Sequence, residues 1–144
     1  MPEQNFQNHS RYVPLYHFIT PTLIVAAIGG SVVNVVHTYH SGNGHYSATL
    51  ICLLSIVALF LWWFCRVFAL KAQDRAIRAE ENFRHFVATG TLLDGRLRMS
   101  QIVALRFAGD DEFVSLVNKA VAENLSSKQI KMAIKNWKAD TNRA

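Results

Sequence analysis

Apolar residues in the first half of the chain run together in two blocks instead of alternating with polar ones. The first block extends from about Leu15 to Tyr39 and holds no Asp, Glu, Lys or Arg. The second extends from about Tyr46 to Leu70, with Arg66 as its one charge. Hydrocarbon offers a backbone no hydrogen bonds, so a spanning segment is a helix of ~20 mainly apolar residues. Both blocks are long enough. The pattern predicts a cytoplasmic or interfacial lead over 1–13, a first transmembrane helix over 14–39, an external turn over 40–46, a second transmembrane helix over 47–70 and a cytoplasmic helical tail over 71–144.

Beyond residue 70 the blocks give way to helical periodicity. The stretch LKAQDRAIRAEENFRHFVATG has no breaker before Gly90, so the second span is expected to continue as one helix and stop there. In it Ala76, Ala79, Phe83, Phe86 and Val87 form an apolar stripe, with Lys71, Arg75, Arg78, Asn82 and His85 on the other side. A short helix follows, capped by Ser100, through roughly Phe107 and ending at Gly109. Another opens on Asp110, Asp111 and Glu112, which place negative charge at the positive end of the helix dipole. It carries Phe113, Leu116, Val117, Ala120 and Val121. Ser126 to Gln129 reads as a capping box opening a last helix, with Ile130, Ala133, Ile134 and Trp137 on one face. Each stripe is too narrow to stabilise its helix alone, so the tail is expected to form a small bundle. The fold class is all-α: an antiparallel two-helix membrane hairpin followed by a small cytoplasmic helical domain.

Charge fixes the expected orientation. The connector HSGNGH has no Lys or Arg, whereas Arg11 precedes the first span and Arg66, Lys71, Arg75, Arg78 and Arg84 follow in or after the second. Lys and Arg mark the cytoplasmic side, so both termini are expected inside a bacterial inner membrane. Tyr12, Tyr16, Trp62, Trp63 and Phe68 suit the inner interface, and Tyr39 and Tyr46 the outer one. The start, MPEQNFQNHSRYVP, lacks the basic lead of a cleaved signal, and the apolar run continues past Ala26 and Ala27, so cleavage is not expected. Residues 71–144 contain 13 Lys and Arg against 9 Asp and Glu, which accounts for most of the formal +5.

Lipid is as apolar as the helices, so close packing and polar contacts must hold a hairpin together. Ala26, Gly30 and Asn34 recur at intervals of four on the first span; Ala48, Cys52 and Ser55 form a similar face on the second. Counting from the turn sets Asn34 level with Cys52, and these faces are expected to meet, with Asn34 bonding across. Pro14 and Pro21 both suit a first helical turn. If the helix starts at Pro14, Pro21 should kink it by removing a bond near Tyr16 and His17. Cys52 and Cys65 lie about 20 Å apart on one helix, out of disulfide reach.

Chemistry is sparse. His37, His40 and His45 cluster at the outer end as candidate metal or haem ligands. No acid or Cys completes a zinc shell, and the second span offers no His at matching depth, so no cofactor is expected. The serines of the tail read as caps, the acids as helix starts or pairs with Arg84, and no phosphate loop or metalloprotease helix is present. An enzyme is not expected. Lys128, Lys131, Lys135 and Lys138 are expected along one face of the last helix. With Lys71, Arg75 and Arg78 they offer a contact for anionic lipid, or for ribosomal RNA as other nucleic acid is not indicated.

The stretch QDRAIRAEENFRHFVATGTLLD, followed by QIVALRFAGDDEF and IKMAIKNWKAD, resembles an uncharacterised bacterial family of short membrane proteins with two spans and a helical tail. The resemblance covers nearly the whole chain, implies an integral membrane protein and carries no catalytic residue. The combined expectation is a structural, scaffolding or regulatory subunit, working through helix–helix contacts with a protein partner or as a homo-oligomer. A membrane tether for anionic lipid or ribosomal RNA is the alternative, and a haem- or metal-binding membrane protein the third reading.

Overall fold

The computed structural model describes residue 6 and residues 12–139. The expectations for 1–5, 7–11 and 140–144, including the charge of Arg11, lie outside the described residues. Every described element is helical: a π-helical turn Leu15–Ile19, then α1 Thr20–Ser41, α2 His45–Thr89, α3 Met99–Leu105, α4 Asp110–Ala122 and α5 Ser127–Ala133. The chain divides into two compact units, Tyr12–Phe68 and a second containing Ala69–Ala144.

In the first unit, proline chemistry shapes the entry to α1. Pro21 lies in the first turn of α1, behind the π-helical turn. With no N–H on Pro21, the Tyr16 carbonyl has no donor five residues on. The indole Nε1 of Trp62 donates to it instead, at 3.2 Å. The Tyr16 hydroxyl donates in return to the Trp62 carbonyl at 2.7 Å, and the two rings stack at 5.8 Å. The proline's missing bond thus becomes a reciprocal link between α1 and α2.

The other link lies at the turn. Gly42 caps α1 with φ 77° and Gly44 follows with φ 82°, a left-handed pair that glycine adopts without a Cβ clash. The connector folds back so closely that a Cβ at Gly44 would stand 3.7 Å from the Thr38 methyl. α2 therefore starts below the last turn of α1. The Tyr16–Trp62 exchange at one end of the pair and the approach of Gly44 to Thr38 at the other fix how the two helices lie along each other.

In the second unit α2 contributes Ile77, Glu81 and His85 to a core with Leu93, Leu97, Ile102, Leu105, Phe107, Phe113, Val117 and Ile130. The expected apolar stripe lies elsewhere: Phe83, Phe86 and Val87 are exposed. The tail packs on the polar side of the helix because that side offers groups its loops can satisfy. His85 Nδ1 meets the Thr91 carbonyl at 2.8 Å, and Asn82 accepts the Leu93 N–H at 3.2 Å. Gly90, at φ 75°, ends α2 as its sequence suggests.

α3 begins at Met99 with Arg98 as its cap, two positions ahead of the expected cap at Ser100. The buried Gln101 explains the shift. Its Oε1 accepts the Arg98 N–H at 2.7 Å, while its Nε2 donates to the Leu125 carbonyl at 2.8 Å. α4 opens on the acidic triplet, with Phe113, Leu116, Val117 and Ala120 buried. The Ser126–Gln129 capping box opens α5. That helix stops at Ala133, short of the expected Trp137, and the chain extends from Ile134 onward. Glu112 decides this. Its carboxylate accepts the N–H groups of Lys135 and Asn136, and Gly109 and Lys138 exchange backbone bonds with Asn136 and Phe107.

Candidate functional site

The residues singled out on the two apolar helices divide into those near the facing helix and those away from it. On α2, Ala48 is buried, and Cys52 and Ser55 are half-covered. On α1, Ile24, Ile28, Ser31, Val35 and Thr38 are among the less exposed positions, in line with Tyr16 of the π-helical turn. Ala26, Gly30 and Asn34 lie off that line and are exposed, with open space around a Cβ built on Gly30. Equal spacing identifies a face but not which neighbour it meets. Between the helices an apolar cavity of about 410 Å³ is lined by Leu23, Ile24, Ala27, Ile51, Leu54 and Ala58, among others.

Most Ser and Thr hydroxyls in this unit are satisfied locally. Thr22 donates to the Phe18 carbonyl, Ser31 to Ile28, Thr38 to Asn34, Thr49 to His45 and Ser55 to Ile51. Such back-bonding hides polar atoms from the helix surface.

Two histidines of the connector region pack on an aromatic ring. Tyr39 meets His40 and His45 edge-on at 6.0 and 5.8 Å, while His37 is exposed. Among the described residues, no group of three or more His, Cys, Asp or Glu could hold a metal ion.

The tail lysines are dispersed. Lys128 and Lys131 lie on α5, whereas Lys135 and Lys138 fall in the extended segment beyond it, so the four do not share a helix face. Lys131 lies over the Phe107 ring at 5.5 Å, and the Lys138 ammonium stands 3.8 Å from Asp110. Lys71, Arg75 and Arg78 remain exposed on α2.

The densest electrostatic cluster of the tail centres on Arg84, which spacing alone reduces to a partner of Glu80 or Glu81. Its guanidinium reaches Glu81 at 3.2 Å, Asp110 at 2.6 Å and the Ala108 carbonyl at 2.7 Å, and lies 4.0 Å over the Phe113 ring. Burial raises the Glu81 carboxyl above its ordinary value despite Arg84, while the Arg84 hydrogen bond lowers that of Asp110. The cluster ties α2 to the start of α4. The arginine's donors are consumed by this chain, so the cluster is a clasp and not an open anion site. Nearby, a cleft of about 460 Å³ is bordered by His85, Thr91, Asp94, Arg96, Asn118 and Val121. There Arg96 closes onto Asp94 at 2.7 Å and holds its carboxyl down to about 2.

The feature that sequence reasoning assigned to the core is the exposed one. Phe83, Phe86 and Val87 stand on the outside of α2, with Leu92 exposed beyond it. A clue was available in the sequence: Ile77, Glu81 and His85 also recur at helical spacing, and polar members disguised them as a solvated face.

No curated protein and no solved structure matches the chain. The model of a family of unknown function, DUF6526, matches residues 1–144, so the chain belongs to that family.

Proposed function

We propose that this is an integral protein of a bacterial inner membrane: α1 and the first half of α2 form an antiparallel hairpin, both termini are cytoplasmic, and the protein acts as a structural, scaffolding or regulatory subunit through helix–helix contacts. The observation that carries the reading is the exposure of two helices long and apolar enough to span a bilayer, each with only 6% of its most apolar window buried. The core helix of a soluble protein would bury that window. Locally satisfied hydroxyls and the Trp62 bond to the carbonyl left by Pro21 add support, because hydrocarbon penalises any unpaired polar group. The subunit role rests on the exposed Phe83, Phe86 and Val87, apolar surface outside the helical run that a bilayer would cover.

The test has two arms. Alkaline carbonate should leave the full chain in the membrane pellet. In a Cys52→Ser, Cys65→Ser background, Asn43→Cys should react with a membrane-impermeant maleimide added outside spheroplasts. Release into the supernatant, or labelling only after lysis, refutes the membrane reading. Gentle detergent extraction should yield an assembly larger than one chain, and a lone monomer would remove the subunit role.

A further inference from the structure

Residues 69–87 of α2 have two faces. One enters the tail core through Ile77, Glu81 and His85. On the other, Ala69, Ala72, Ala76, Ala79, Phe83 and Phe86 recur at alternating spacings of three and four, and all six are exposed. Phe83 is 69% and Phe86 49% exposed. Alternating steps of three and four average 3.5 residues, the repeat of a seam between two supercoiled helices, whereas a stripe that follows a single straight helix repeats every 3.6. None of these six residues belongs to the tail core or to the partly buried apolar residues packed against it.

The flanking residues identify the occupant. With Ala69, Ala76 and Phe83 as the first core position of each heptad, Arg75 and Glu80 fall at the two flanking positions that face each other in a parallel pair. A two-fold axis would therefore create two Arg75–Glu80 contacts, one on each side of the seam. The neighbouring flanks, Phe68 with Gln73 and Asn82 with Val87, add no like-charge contact. Within one chain neither Arg75 nor Glu80 has an ion-pair partner among the described residues, and both are exposed. An antiparallel pair would set like flanks together and lose this match.

We infer that α2 pairs in parallel with α2 of a second copy of this chain along the Ala69–Phe86 seam. The inference deepens the subunit reading and takes its parallel orientation from the membrane topology, since copies inserted the same way present α2 in one direction. Four alanines allow close backbone approach but bury little area, so the seam is weak in isolation. Confinement and common orientation in a bilayer raise the effective concentration that such a contact needs.

The experiment uses the full chain in membrane vesicles, in the Cys52→Ser, Cys65→Ser background, oxidised with copper phenanthroline in air. Ala72→Cys, Ala76→Cys and Ala79→Cys should form disulfide dimers, and Lys71→Cys and Arg78→Cys should not. Arg75→Glu or Glu80→Arg, placed in the Ala76→Cys background, should reduce the dimer yield roughly tenfold, and the two together should restore it. Cross-linking at all five positions, or at none, overturns the inference, as does a double reversal that fails to restore pairing. Pairing that appears only after residues 1–11 are removed would also overturn it, assigning the face to the chain's own N-terminal segment. Failure of the membrane reading is separate: the protein would leave the pellet whatever its state of pairing.

Discussion

Arg84 shows how much one side chain organises in this molecule. Its side chain is 14% exposed and that of Glu81 10%, whereas Asp110 is 77% exposed. The contact to Asp110 is screened by water and contributes little, so the Glu81 contact and the bond to the Ala108 carbonyl dominate. Arg84→Met should destabilise the tail by roughly 3 kcal/mol at pH 7, because it strands a buried carboxylate. The sign of the pH dependence follows from the shifts. Glu81 has a folded value above 4.5, so its contribution is present at low pH and lost as pH rises through that folded value. Asp110 has a folded value below 3.8, so its contribution is present above 3.8 and lost as pH falls through its folded value. Without Arg84, which opposes the effect of burial, the Glu81 carboxyl shifts further upward and its penalty at pH 7 grows. The destabilisation by Arg84→Met should therefore shrink between pH 7 and pH 5, measured by thermal melts of the tail followed through Trp137 fluorescence. A loss that is equal at the two pH values would contradict the clasp.

At the scale of elements, the ends of helices are decided by distant partners more than by local propensity. The capping box at Ser126 and the glycine stop at Gly90 were legible because each is a short-range bond pattern. The end of α5 was not: the pattern Ile130, Ile134, Trp137 continues as a helix on paper. In the fold, Glu112 holds the N–H groups of Lys135 and Asn136, and Gly109 lies so close to Asn136 that a Cβ would stand 3.2 Å from it, tighter than ordinary contact. The acidic start of α4 thus serves the chain 23 residues later as well as its own dipole. Glu112→Ala should destabilise the tail by about 1–2 kcal/mol by leaving two N–H groups without their acceptor. Hydrogen exchange should accelerate at Lys135 and Asn136 while the amides of α2 stay protected. Unchanged exchange at those two amides would show that the extended segment is held by other contacts. Gln101 makes the same point for α3, whose start is set by a bond network reaching Leu125.

For the whole molecule, the two compact units bury different chemistry. The first has almost no core, and its links are the Tyr16–Trp62 exchange, the glycine fold-back and a thin line of small residues including Ser31 and Ala48. The second has an aqueous-type core built around Phe107, Phe113, Leu105 and Ile130. Phe113→Ala should cost about 3–5 kcal/mol in the second unit, since it removes a buried ring that also supports Arg84. A calorimetric scan in detergent should show one transition lowered by that substitution, with the helical signal of the apolar pair persisting to higher temperature. A single transition that moves as a whole would mean the units do not melt separately.

By itself the sequence determined the quantities that depend on composition and near neighbours: two apolar helices of spanning length, a continuous second helix to Gly90, the acidic start of α4, the capped start of α5 and membership of a family. Those follow from solvent preference and from bonds closed within a few residues. Only tertiary structure decided the register of α1 on α2, the stop at Ala133 and which side of the tail helix is inward. Each of these depends on a partner far away in the chain, and a helix with both an apolar and a polar stripe can bury either. Here Arg84 and the loop carbonyls satisfy the polar stripe, so Glu81 and His85 go in and Phe83 and Phe86 remain outside.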